Sequence, residues 1–235
     1  MTVRRAGFWS QYFYFFMSLL IAVVVVYGFS HTIGGRLIHP KVAPPRIIYL
    51  HAAVFSGWIV FLILQTALVR MRKVRVHRTI GWFGVAIGVM IPVVGISTAI
   101  SMDRFNIFTL HESGIASFMA VQFCDMISFT VAFALAVYWR RKPEFHRRLM
   151  LVASFALTAA AWGRMPPPWF SDNWFYIGVD FLVFLGLLRD VIVMRRVHPV
   201  YRYALPALIA AQSTAMYLVN VNPPVWQRIT ARLLG

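Results

Sequence analysis

Acidic residues and cysteine are both scarce in this chain of 235 residues. Only 7 Asp and Glu stand against 23 Lys and Arg, and charged residues make up 13% of the chain. A soluble domain carries about twice that charged fraction, which excludes an ordinary soluble globule. Cys124, the one cysteine, lies in an apolar segment, so the chain can form no internal disulfide framework. With 60% hydrophobic residues, the composition indicates an integral membrane protein.

Lysine is also rare, because 20 of the 23 cations are arginine. The three lysines (Lys41, Lys73 and Lys142) fall outside the apolar runs, so none can form the Schiff base of a retinal protein. Most arginines lie in short turns between apolar runs. Such basic turns are typical of cytoplasmic loops and attract anionic lipid headgroups. This distribution argues against nucleic acid as a partner.

Seven apolar runs predict membrane-spanning helices, and together they form a single domain over residues 1–235 with its core at 47–165. The predicted spans are 8–29, 47–69, 79–101, 114–139, 149–165, 174–194 and 203–221. With the N-terminus inside, 16 cations fall on the inner side and 7 on the outer side. The first run continues for about 20 residues without a small-residue cleavage site, which favours a retained helix over a signal peptide. We therefore predict an all-α bundle of seven transmembrane helices with the C-terminus outside.

Histidines mark the ends of the four central spans. His77 and His146 precede arginines at inner turns, whereas His51 and His111 lie towards the outer side. This pattern resembles the cytochrome b561 type of diheme membrane protein, in which histidines on four consecutive helices bind two b haems. The resemblance covers residues 51–148. It implies that His77 with His146 would hold an inner haem, and His51 with His111 an outer one, through neutral imidazoles.

Depth along the helices distinguishes the two histidine pairs. At a rise of ~1.5 Å per residue, His51 stands ~28 Å above Arg70, whereas His111 stands ~43 Å above Arg140. A mismatch of ~15 Å is too large for one axial pair unless the fourth span bends or begins later. The inner pair fits better, and the alternative for its histidines is contact with lipid phosphate. His31 and His39 in the first outer loop lack a third ligand, so we expect no metal there.

The same depth scale predicts a polar pocket in the outer half of the bundle, near the level of His51. Four members share this level: Gln122, Asp125, Arg164 and Asp180. Gln65 is included because it lies on the same face of the second span as His51. Isolated charges are costly in a membrane, so we expect Arg164 to pair with one of the two aspartates, most simply Asp125. The pocket would bind or move a small molecule or a proton; the alternative is a structural ion-pair network.

Longer segments are similar to a family of bacterial membrane proteins whose role is not established. The matching segments run from His51 through Gln65 to His77-Arg78, then RRKPEFHRRLML, AAAWGR, and Asp190 to His198-Pro199. This similarity implies a location in the bacterial inner membrane and no particular activity.

The leading functional hypothesis is a b-type haem protein that moves electrons within or across the membrane. The alternatives are a cofactor-free protein that uses the polar pocket, and an accessory subunit that packs against partner membrane subunits. A glycine stripe on the third span is compatible with close helix packing or with room for a flat cofactor. It comprises Gly81, Gly84, Gly88 and Gly95.

Overall fold

The chain folds, in a computed structural model, as a bundle of α-helices joined by short turns. The structure describes residues 8–166 and 174–235, with side chains from residue 12 onward. Nine α-helices lie in these ranges: α1 Phe8–Ser30, α2 Ile47–Arg70, α3 Val74–Phe108, α4 Ile115–Tyr138, α5 Pro143–Ala156, α6 Ala159–Trp162, α7 Phe175–Met194, α8 Pro199–Val221 and α9 Pro224–Leu234. A π-helical turn, Gly34–Ile38, lies between α1 and α2, and the described ranges contain no strand. The predicted all-α class is confirmed.

Among the described residues, five helices are long and apolar enough to cross a membrane: Tyr12–Ser30 of α1, and all of α2, α3, α4 and α8. Helix α7 has 20 residues, but Asp180, Arg189 and Asp190 lie within it. Helices α5 and α6 are each shorter than a bilayer-spanning helix needs to be. The several long apolar helices support the prediction of a membrane protein.

The predicted fifth span, 149–165, is divided into α5 and α6. The break falls at Leu157 and Thr158, where the buried Thr158 hydroxyl donates to the carbonyl of Phe155 at 2.7 Å. Threonine hydroxyls compete with the main chain for such carbonyls, which disfavours a continuous helix. Trp162 Nε1 also donates to Thr158 Oγ1 at 3.2 Å and stabilises this corner.

Helix α9 follows the Asn-Pro-Pro turn and lies outside every predicted span. It buries Trp226, Thr230 and Leu234, which recur every four residues and so share one helical face. Trp226 Nε1 donates to the Ser117 carbonyl at 3.1 Å, and Arg104 donates to the carbonyl of Leu234 at 3.0 Å. These contacts fix α9 against the end of α3 and the start of α4.

The helices place the inner turns together at one end of the bundle, which we call the basic end. At this end Arg70 of α2 donates to the Tyr12 hydroxyl of α1, and Arg148 of α5 contacts Asp190 of α7. The opposite end, which we call the far end, holds α9. Helix α4 lies in the middle and packs against α3, α5, α8 and α9. The start of α1 and the end of the chain therefore lie at opposite ends of the bundle.

Candidate functional site

His77 and His146 meet at the basic end of the bundle. Their ring centroids are 6.3 Å apart, and the ring planes are inclined at 76°. His77 lies in the first turn of α3 and His146 in the first turn of α5, so the two imidazoles approach each other beside the last turn of α4. These two histidines lie 69 residues apart in the sequence. Their contact in the fold is what an inner haem site held by both of them would require.

The His146 ring is held by the main chain of α4. Its Nδ1 lies 2.9 Å from the Ala136 carbonyl oxygen. A carbonyl can only accept, so Nδ1 carries the proton and Nε2 keeps its lone pair. Histidines that bind metals generally donate their other ring N–H to a carbonyl or carboxylate in this way. The hydrogen bond to Ala136 therefore orients the His146 ring as a metal ligand would need to be oriented.

Gln65 of α2 completes this group and does not belong to the outer half of the bundle. Its main-chain carbonyl lies near the His77 ring and contributes to the electrostatic environment of that ring. The Gln65 side chain is 9% exposed, and both its Oε1 and its Nε2 are buried without a partner in the described residues. His77 Nδ1 is likewise buried and unpaired. Buried polar atoms are normally hydrogen-bonded, so this concentration of unpaired groups is typical of a ligand site.

The glycine stripe of α3 is mostly filled by side chains of neighbouring helices. A Cβ added at Gly84 would overlap Phe61, one at Gly88 would overlap Phe133, and one at Gly95 would overlap Met126. These glycines serve close packing. Gly81, one turn from His77, has no atom within 4 Å of an added Cβ. Room beside α3 is therefore left at the histidine end of the stripe.

The structure does not bring His51 and His111 together as an outer pair. His111 is exposed on the α3–α4 turn, with a left-handed φ of 56°, and α4 begins only at Ile115. His51 stacks on Phe55 with ring centroids 3.9 Å apart. His111 therefore belongs to no helix that could direct it into the bundle, and the outer haem site gains no support from this arrangement.

The predicted polar pocket is divided into separate pairs that face different neighbours. Gln122 Nε2 lies 3.4 Å from Asp103 Oδ1 of α3. Asp125 Oδ1 accepts from the Tyr176 hydroxyl of α7 at 3.2 Å. Asp180 Oδ1 accepts from Gln212 Nε2 of α8 at 3.1 Å.

The predicted Asp125–Arg164 ion pair is wrong. Arg164 Nη1 donates to the Ala160 carbonyl at 2.6 Å, and its guanidinium carbon lies 4.6 Å from the centre of the Phe29 ring. Arg164 therefore packs against the end of α1, whereas Asp125 faces α7.

An ion-pair network that the sequence did not predict lies at the basic end. Arg148 donates Nε to Asp190 Oδ2 at 2.7 Å and Nη2 to Asp190 Oδ1 at 2.6 Å, and both side chains are 0% exposed. Arg148 Nη1 also contacts Glu144 Oε2 at 2.6 Å, and Arg189 Nη1 donates to Asp190 Oδ1 at 2.9 Å. The sequence feature that could have indicated this network is the Arg189-Asp190 pair, which lies near the end of an apolar run and close to a basic turn. This network joins α5 to α7 on the side of α5 away from His77.

Comparison with protein-family models, curated proteins and solved structures found no match to this chain.

Proposed function

We propose that the chain is an integral membrane protein that holds a b haem between His77 and His146 and moves electrons. The observation that carries this proposal is the 6.3 Å separation of the two ring centroids. Two imidazoles on opposite sides of one metal ion place their centroids about 6 Å apart, because each metal–nitrogen bond is about 2 Å long. A haem held there would supply a one-electron carrier near the basic surface of the membrane.

The residues around the pair fit this role by orienting and desolvating the imidazoles. Ala136 fixes the tautomer of His146 through its carbonyl. Gln65 offers a buried amide with both polar atoms unpaired, and Gly81 leaves open space one turn from His77. Four consecutive helices, α2 to α5, thus contribute residues to the inner centre, although only α3 and α5 contribute histidines to it.

We also propose that the bundle crosses the bilayer seven times, with the basic end in the cytoplasm. In this arrangement α5 and α6 together make the fifth crossing and α7 the sixth. Support comes from the 16 cations on the inner side against 7 on the outer side. The contacts of α9 at the far end are consistent with an odd number of crossings. We place the protein in a bacterial inner membrane.

Haem content of point variants tests the assignment of ligands. His77→Ala and His146→Ala should each lower the haem-to-protein ratio severalfold, because each removes one of the two imidazoles that would hold the iron. His111→Ala is the matched control: it removes an exposed histidine at the other end and should leave the ratio unchanged. Full haem content in both inner variants, or loss only with His111→Ala, would contradict the proposal.

A further inference from the structure

A groove between α7 and α8 is lined by the carboxyl group of Asp180, a residue within α7. The groove has a volume of about 290 Å³, and its walls include Trp174, Ile177, Asp180, Ile209, Gln212 and Met216. Asp180 lies about 8 Å along α7 from the start of that helix, at a rise of ~1.5 Å per residue. The groove therefore lies in the half of the bundle nearer the far end.

Asp180 has one carboxylate oxygen left for a ligand. Its Oδ1 accepts from Gln212 Nε2 at 3.1 Å, and in the described ranges Oδ2 has no hydrogen-bond partner. Gln212 uses its amide nitrogen in this contact, which leaves its Oε1 as a second acceptor. Both residues that carry these acceptors line the groove.

The carboxyl group of Asp180 has no ion-pair partner in the described part of the chain. Behind the groove wall, the Tyr176 hydroxyl donates to a second acid, Asp125, at 3.2 Å. The ion pairs seen among the described residues lie at the basic end and involve Glu144 and Asp190. An ionised carboxylate within a membrane helix is costly unless it is paired, so an ammonium group placed beside Asp180 would stabilise its ionised form.

The remaining walls suit an apolar group attached to that charge. Trp174 is 62% exposed, Ile177 49% and Ile209 45%, so all three offer surface to a ligand. An indole ring also attracts cations over its face.

We propose that the α7–α8 groove binds a small organic amine. Its ammonium group contacts Asp180 Oδ2 and Gln212 Oε1, and its apolar part packs against Trp174 and the two isoleucines. This site is independent of the histidine pair at the basic end.

Titration calorimetry of the full chain in uncharged maltoside micelles tests the proposal with two matched probes. Phenethylammonium carries the charge, and phenethyl alcohol has the same apolar skeleton without it. We expect saturable binding of the amine and binding of the alcohol weaker by about tenfold or more, because only the amine pairs with the carboxylate. Equal affinity for the two probes, or no saturable binding of the amine, would overturn the proposal.

Variants locate the binding. Asp180→Asn keeps an acceptor for Gln212 and should weaken amine binding by about tenfold or more. Glu112→Gln removes the same charge from the exposed α3–α4 turn and should leave affinity unchanged. Ile209→Trp fills the groove, leaves the carboxyl group in place, and should also abolish binding. Unchanged affinity in Asp180→Asn or in a folded Ile209→Trp protein would refute the site.

A lipid competitor separates a free amine from a headgroup. Phosphatidylethanolamine carries a primary ammonium group, whereas phosphatidylglycerol does not. We expect neither lipid to compete with phenethylammonium. Competition by phosphatidylethanolamine alone would overturn the assignment to a small amine and give the site to a lipid headgroup.

Discussion

Arg148 and Asp190 form a doubly hydrogen-bonded ion pair whose side chains are both 0% exposed. Removing one partner of such a pair leaves a buried charge without compensation and typically costs about 3–5 kcal/mol. We expect Asp190→Asn and Arg148→Gln each to lower the melting temperature in detergent markedly. Glu112→Gln, which removes an exposed acid, should have little effect.

The double variant shows whether Asp190 and Arg148 stabilise the protein through a direct interaction or through two independent contributions. Asp190→Asn with Arg148→Gln should lose less stability than the sum of the single changes, because neither charge is then left unpaired. Thermal unfolding of the four proteins measures this coupling, and strict additivity would contradict a direct interaction.

Depth could be predicted for individual residues, but direction around the helix could not. The positions of His77 and His146 just before arginines at inner turns placed them at one level, and their rings do meet. A fixed rise per residue placed Asp125 and Arg164 at one level, yet one faces α7 and the other packs on Phe29 of α1. Helix rotation depends on which neighbours pack on each face, and a single sequence does not specify that order.

Helix α8 begins with a cap that depends on pH. His198 Nδ1 accepts from the Val200 main-chain N–H at 3.2 Å, which requires an unprotonated ring nitrogen. Burial, followed by the Arg148 guanidinium, lowers the pKa of His198 below its usual 6.5; other charged neighbours are Asp190, Glu144 and Arg147. The cap should therefore contribute stability above pH 6.5 and lose that contribution as the pH falls through the folded-state pKa.

His198→Asn tests this cap, because asparagine caps helices at any pH. The melting temperatures of the variant and the wild type should be similar above pH 6.5. Below that pH the variant should become the more stable of the two. A difference that stays constant with pH would show that protonation of His198 does not affect the cap.

At the scale of elements, the helices formed by long apolar runs were predicted well, whereas the break between α5 and α6 and the short polar helix α9 were not. Helices α2, α4, α7 and α8 lie within a few residues of their predicted spans. The α5–α6 break depends on one threonine hydroxyl, which hydropathy does not register. Helix α9 was missed because its stability comes from docking on α3 and α4, through Trp226 and Arg104, and not from apolar length.

For the whole molecule, the proposed topology places the two ends of the chain on opposite sides of the membrane. Reporter fusions to each terminus should find the N-terminus in the cytoplasm and the C-terminus outside, because the inner turns carry most of the cations. A third fusion in the 140–142 turn should report the cytoplasm. Finding both termini on one side would mean that one proposed crossing does not exist.

The absorption spectrum of the intact protein tests the central proposal most directly. Protein purified from haem-replete cells should show a Soret band, with an α band that sharpens on reduction, because two histidines would hold the iron from opposite sides. A stable, homogeneous preparation that is colourless under these conditions would contradict a haem centre at His77 and His146.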